Sequence, residues 1–192
     1  DLDLGPISNL GYLLPQTKKT KLKEMLESKR KYYMILSLKC KVTNKTFTIS
    51  NTHLVAIVEL EDLKFLQGYL IAKKLESYKN AIYIGDLNSV PSSNLVKLIR
   101  ESSNKNNLGK FIISKKYKSA YNTELDFVTT QASNSYTPFF SEMIDYIFTE
   151  QNIKVLKVMD IPNKSTLKKD KFFPDKNEPS DHFMIGCELE IN

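Results

Sequence analysis

Several residue types and patterns are scarce in this chain, and each shortage narrows what it can be. Among its 192 residues there are two histidines, two cysteines and two arginines. The apolar runs, such as Leu54 to Val58, are far shorter than the ~20 residues a membrane-spanning helix needs. No basic segment followed by an apolar one opens the chain, and with such short apolar runs it reads as soluble. Cys40 and Cys187 both fall in strand-like apolar patterns, which predicts reduced core thiols and an intracellular setting rather than a disulfide framework. The net charge of +6 would suit a polyanionic partner, but it is almost all lysine, with Arg30 and Arg100 the only arginines. A coding bias toward lysine and asparagine would give the same balance, so charge alone names no partner.

What is present is ordinary for a globular protein: 41% hydrophobic residues and a length that suits one domain with a sizeable core. Thr20 is placed to cap a short helix running to about Arg30. Met34, Leu36, Leu38, Cys40 and Val42 alternate with Ile35, Ser37, Lys39 and Lys41 as in a half-buried strand. Thr43-Asn44-Lys45 is a turn into a second strand, Thr46 to Leu54, so the pair predicts a hairpin. Leucines and Ile71 recur at helical spacing between Glu59 and Tyr78, predicting an amphipathic helix, and a buried strand, Ala81 to Ile84, follows. Ser92 or Ser93 caps a helix from about Asn94 to Glu101, and Ser102 to Lys110 is expected to be a surface loop. Met143 to Thr149, Ile153 to Met159 and Phe183 to Ile191 are expected strands, with a long mobile loop from Ile161 to Pro179. No internal repeat is visible, and the whole predicts one mixed α/β domain.

Both histidines stand in short polar motifs at the ends of apolar runs, Asn51-Thr52-His53 and Ser180-Asp181-His182. Between them lies Gly85-Asp86-Leu87-Asn88-Ser89, where a strand that stops at glycine sets a carboxylate beside a carboxamide. Such an Asp holds a metal or activates water; the plainer alternative is an Asx-turn. Ser-Asp-His has its own plain alternative, a polar start to a strand. Asp145 lies in Ile144-Asp145-Tyr146-Ile147-Phe148, apolar on both faces. An ionised carboxylate there costs several kcal/mol without a partner, and His182 is the natural candidate. The alternative is an edge strand with Asp145 facing water. Histidine, aspartate and asparagine at three strand ends are the parts metal-assisted phosphodiester chemistry uses.

Taken in order, Asn51-Thr52-His53-Leu54, Asp62-Leu63-Lys64-Phe65-Leu66-Gln67, Gly85 to Ser93, Ser119-Ala120-Tyr121, Ile144 to Phe148 and Pro179 to His182 resemble the endonuclease/exonuclease/phosphatase superfamily. The resemblance is to its deadenylase branch, the poly(A)-specific exoribonucleases with nocturnin a relative, and it covers about residues 32 to 191. It implies a DNase I-like α/β sandwich, Mg²⁺ dependence, an RNA (poly(A)) substrate shortened from its 3′ end to 5′-AMP, a place in a deadenylation complex, no membrane, and a cytoplasmic setting that can extend to the nucleus. Carried over by motif, Asp86 would position or activate water and hold metal, with Asn88 beside it holding the phosphate or Asp86 itself. His53 would contact the scissile phosphate, Asp145 would orient His182, and His182 would stabilise charge on the phosphoryl oxygens. Asp181 would lie at the metal, and Phe140 would stack an adenine unless it is ordinary core.

The chain also departs from the pattern. The branch's metal-binding Glu, in a Leu-Gln-Glu-type strand, and an earlier Asn have no counterpart, so residues 1–192 are expected to be a single partial domain lacking its N-terminal part, weak or inactive in isolation. Val58 replaces a base-contacting Pro, and Ser135-Tyr136-Thr137-Pro138 replaces a stretch in which Asn follows Thr. Two alternatives stay open: a nucleotide phosphatase or other phosphodiesterase of the superfamily, and a noncatalytic binding or scaffold module.

Overall fold

The computed structural model describes residues 2–14, 19–132, 139–167, 173–176 and 178–191; the Ser135 to Pro138 departure lies outside the described residues. The strands are β1 (Leu2–Pro6), β2 (Tyr32–Lys39), β3 (Thr46–His53), β4 (Ala81–Asp86), β5 (Ser103–Asn106), β6 (Gly109–Ile112), β7 (Tyr117–Ser119), β8 (Thr130–Ala132), β9 (Phe140–Glu142), β10 (Asp145–Glu150), β11 (Ile153–Val158) and β12 (Cys187–Ile191). The α-helices are α1 (Lys19–Ser28), α2 (Glu61–Leu75) and α3 (Asn94–Glu101). Six strands form the central sheet in the order β1-β2-β3-β4-β10-β7, and β5-β6, β8-β9 and β11-β12 form two-stranded ribbons. The result is the mixed α/β architecture expected from the sequence.

Within the sheet, β3 and β4 run parallel while the other neighbours are antiparallel. Parallel neighbours need a long crossover, and α2 supplies it. One face of the sheet, carrying Tyr33, Ile35, Ser50, Ala81, Tyr83, Tyr146 and Phe148, is buried in the core shared with the helices. The opposite face carries Leu2, Leu4, Met34, Leu36, Leu38 and Ile49 and is more open, with Leu4 63% exposed. The β2-β3 hairpin forms as expected, with Asn44 at φ 58 in its turn. Its buried residues, however, are Tyr33 and Ile35 rather than the Met34, Leu36 and Leu38 set. In the first half of β2 both alternating sets are apolar, Tyr33 and Ile35 on one face and Met34 and Leu36 on the other, and the one facing the helices is buried.

Helix α2 was expected to be amphipathic and is instead buried nearly all round, from Leu63 through Ala72 and again at Leu75. Its outer side is covered by Ile7 and Leu10 of a 3-10 segment (Ile7–Leu13), by Leu22 and Leu26 of α1, and by Phe111, whose ring meets Phe65 and Tyr69 edge-on. Gln67, wholly buried in this helix, accepts a hydrogen bond from Val55 N–H (3.1 Å) and donates to Lys29 carbonyl oxygen (3.2 Å), tying the segment after His53 to the helix. Helix α3 starts as expected, with Ser93 Oγ accepting from Val96 N–H at 3.3 Å.

Other expectations are corrected. Helix α1 already contains Thr20 as its second residue, so Thr20 does not precede the helix as a cap. The expected loop from Ser102 to Lys110 contributes most of the β5-β6 hairpin; its polar alternation hides a ribbon pinned by buried Phe111. The final strand starts at Cys187 rather than Phe183 and pairs with β11. Described residues of the expected mobile loop are anchored, with Phe173 4% exposed and Asn163 bridged to Phe127. Both cysteines are free, as expected, but only half-buried, so they are not core thiols; Cys40 lies just beyond the end of β2.

Candidate active site

The register of the sheet assembles the site. His53 ends β3, Asp86 ends β4, and Asp145 begins β10. His53 pairs with Asp86 across the parallel ladder, and Asp86 pairs with Asp145 across the antiparallel one. Three residues far apart in sequence therefore stand in one row on the open face of the sheet, spaced by the inter-strand distance of ~4.8 Å. The row holds because β3 and β4 approach closely at Gly85, which does not make the expected turn but stays within the strand at φ +144. A Cβ there would overlap the carbonyl oxygen of Thr52. The chain turns two residues later, at Leu87 and Asn88, the latter left-handed at φ 47.

The plainer alternative for the Asp86 motif, an Asx-turn, is present in the structure. Asp86 Oδ1 accepts from Asn88 N–H at 2.8 Å, while Oδ2 lies 3.4 Å from Nε2 of the exposed His53. Asn88 in turn donates its side-chain N–H to Leu54 carbonyl oxygen at 3.1 Å. Burial, and then the negative charge of Asp145 alongside, push the Asp86 carboxyl above the usual carboxylate range; the Asn88 N–H and the two histidines pull the other way.

Asp145 does not face water on an edge strand, because β10 lies between β4 and β7. His182 Nδ1 stands 3.0 Å from its Oδ2 and 3.1 Å from its Oδ1. Thr130 Oγ1 donates to Oδ2 at 2.9 Å and lies 3.0 Å from His182 Nδ1. The Asp145 bond raises the His182 pKa above its ordinary value, and burial opposes it. Nδ1–H is thus directed at Asp145, leaving Nε2 for a substrate group.

Two threonines that sequence reasoning missed organise this corner. Thr129 Oγ1, fully buried, accepts from both Ile144 N–H and Asp145 N–H at 3.0 Å each, fixing the start of β10. Thr130, next along, holds the Asp145 carboxylate and forms a β-bridge with His182. Gln131 N–H to Asp181 carbonyl oxygen (2.9 Å) and Phe183 N–H to Thr129 carbonyl oxygen (2.7 Å) bracket His182 on both sides. The sequence signal was slight: two adjacent threonines between Phe127-Val128 and a mostly polar run.

Asp86, Asp145 and His182 each offer a ligand atom, all within 4.8 Å of one another, and this is the group that could hold a metal ion among the described residues. Asp181 is outside it, although its charge also raises the His182 pKa. Phe140, half-buried on β9, pairs with Ala132 on the His182 side of the row and does not line the cleft. That cleft, about 690 Å³, opens over His53, Asp86, Asp145 and His182.

Residues 11–182 match the model of the Endonuclease/Exonuclease/phosphatase family. The chain belongs to that family. In sequence it is similar to the probable CCR4-Not complex 3′-5′-exoribonuclease subunit Ccr4 of Vairimorpha ceranae, 28% identical over 162 residues, covering 78% of this chain and 33% of the relative. It is also similar to carbon catabolite repressor protein 4 homolog 4 of Arabidopsis thaliana, 26% identical, covering 74% of this chain and 37% of that protein. The chain thus spans about a third of the length of these curated relatives, and they fall in the branch its motifs resemble. In fold it matches ANGEL2, a 2′,3′-cyclic phosphatase, with a TM-score of 0.77 at 18% identity, covering 98% of this chain and 66% of that one. The human nocturnin catalytic domain matches with a TM-score of 0.62 at 20% identity over 85% of this chain and 54% of that one. No α-helix among the described residues is long and apolar enough to cross a membrane.

Proposed function

We propose that this chain forms the His-Asp side of a Mg²⁺-dependent 3′-5′ exoribonuclease that shortens poly(A) and releases 5′-AMP within a deadenylation complex, in the cytoplasm and the nucleus. The observation that carries the reading is the single row of His53, Asp86 and Asp145, with His182 clamped at its end, facing an open cleft. The similarity to Ccr4-type subunits supports RNA as the substrate.

Asp86 orients the attacking water, whose oxygen forms the new bond to phosphorus as the P–O3′ bond to the shortened strand breaks. His53, exposed beside it, binds a non-bridging phosphate oxygen. His182 presents Nε2 to the phosphoryl oxygens, and Asp145 keeps its ring oriented and stabilises its protonated form. Asn88 fixes the Asp86 carboxylate through its backbone N–H. The hard carboxylate donors fit Mg²⁺, and a like-charge meeting of Asp86 and Asp145 is what a cation relieves. Asp86 would hold it, with Asp181 the second carboxylate that the resemblance assigns to the metal; when bound, Mg²⁺ would supply Lewis-acid stabilisation of the phosphoryl charge. Phe140 is the adenine contact in this reading, on the His182 side of the row.

In the protein that carries the activity, the test compares AMP release from oligo(A) with phosphate release from small nucleotides and opening of a 2′,3′-cyclic phosphate, for wild type and Asp86→Ala with and without EDTA. Chelator-sensitive AMP release that Asp86→Ala abolishes is expected; preferential turnover of the small phosphoesters would move the chain to a phosphatase role. A Phe140→Ala variant that melts normally but loses its oligo(A) over oligo(U) preference supports the adenine contact, and a destabilised variant with an unchanged ratio removes it.

A further inference from the structure

The row does not stop at His53. Pro6 of β1 pairs with Tyr32 of β2, and one step beyond the Tyr33–Thr52 pair the antiparallel register sets Tyr32 opposite His53. Tyr32 therefore stands one strand further along the same line, on the same open face, and it is among the residues that line the same cleft. Residues directly opposite in antiparallel strands hold their Cβ atoms about 5 Å apart, so Tyr32 is the immediate lateral neighbour of the proposed phosphate contact. Tyr32 is 56% exposed, whereas Tyr33 is 6% exposed with its hydroxyl bound to Asp3.

The backbone beneath this exposed ring is held firmly. Thr52 Oγ1 donates to Tyr32 carbonyl oxygen at 2.8 Å, and Ile7 N–H donates to Lys31 carbonyl oxygen at 2.7 Å. Lys31 lines the same rim and pairs with no carboxylate among the described residues. An aromatic displayed from rigid backbone offers a large contact at low entropic cost, and beside a phosphate contact the matching ligand group is a nucleobase.

We propose that Tyr32 is a base-stacking platform, so that a single strand lies across the row with its phosphate at His53 and Asp86, one base on Tyr32, and the phosphate beyond it near Lys31. This rests on the nucleic-acid reading of the site and deepens it. It places a base contact on the β1-β2 side, opposite the Phe140 side.

The experiment measures binding by the 192-residue chain, in Mg²⁺, of a hydrolysis-resistant phosphorothioate adenosine hexamer and of its abasic counterpart. Wild type should prefer the hexamer. Tyr32→Ala should weaken hexamer binding by about 5- to 150-fold, the range of one lost base stack, and leave the abasic oligomer unchanged. Tyr32→Phe should bind like wild type. Equal loss for both oligomers, or no hexamer preference in wild type, overturns the proposal. The two readings separate: failure of Asp86→Ala to affect hydrolysis sinks the catalytic one with the platform intact. Loss of hydrolysis in Asp86→Ala, with Tyr32→Ala binding normally, sinks the platform alone.

Discussion

His182 Nδ1 lies 3.0 Å from Asp145 Oδ2, joining a residue that begins an interior strand to one held by a bridge 37 positions later. The pair acts as one unit, so single and double alanine variants should be strongly non-additive in kcat. Additive losses in single-turnover assays would argue against coupling.

The same pair sets a pH dependence. His182 has its pKa raised above its ordinary 6.5, so the folded chain holds that proton more tightly than the unfolded one. Its stabilisation is complete below about pH 6.5 and is lost as pH rises through the raised folded value. Asp145→Asn should remove this dependence and return the His182 titration toward 6.5. Proton NMR can read it directly, since His53 is the only other imidazole. An unchanged titration midpoint would contradict the assignment.

Thr130→Val removes one hydroxyl from a 4% exposed site while keeping its shape. The expected cost is about 1 to 3 kcal/mol, because a hydrogen bond to a charged carboxylate is lost, together with a drop in kcat as His182 gains freedom. Urea melts and turnover on the same variant test both; a neutral variant would show that the bridge alone positions the ring.

Asp86→Ala should lower kcat by roughly 10²-fold or more in the protein that carries the activity. Mg²⁺ should raise the melting temperature of wild type and leave Asp86→Ala unmoved; saturation at a hundred times Kd corresponds to about 2.7 kcal/mol. Equal shifts in both would move the cation elsewhere.

Gly85→Ala should be disruptive despite adding one methyl, since the new Cβ meets the Thr52 carbonyl and the backbone is left-handed. Strain alone is about 1 to 3 kcal/mol. A normally stable, active Gly85→Ala protein would mean that the β3-β4 approach is looser than described.

Much of the site was legible because its members interrupt otherwise apolar strands: Asp145 within Ile144 to Phe148, and His53 and Asp86 at the ends of their runs. The His182 partnership followed from the cost of a buried charge. Thr129 and Thr130 were not legible, since threonines in a mostly polar segment give no sign of which distant group each hydroxyl meets. Neither was the buried side of β2, where Tyr33 and Ile35 compete with Met34, Leu36 and Leu38 as equally apolar sets. Nor was Gly85 legible as a contact point, since close approach of two backbones leaves no trace in a single glycine.

A site laid out along adjacent strands is measured by backbone hydrogen bonds rather than by side-chain packing. Its dimensions should therefore tolerate core substitutions that shift helices, yet respond abruptly to a change in strand length. Deleting one residue within β3 would turn His53 to the helix-covered side, while deleting two would restore its face but move it along the strand by about 7 Å. Length variation is consequently expected in the turn after β2 and not between Thr46 and His53.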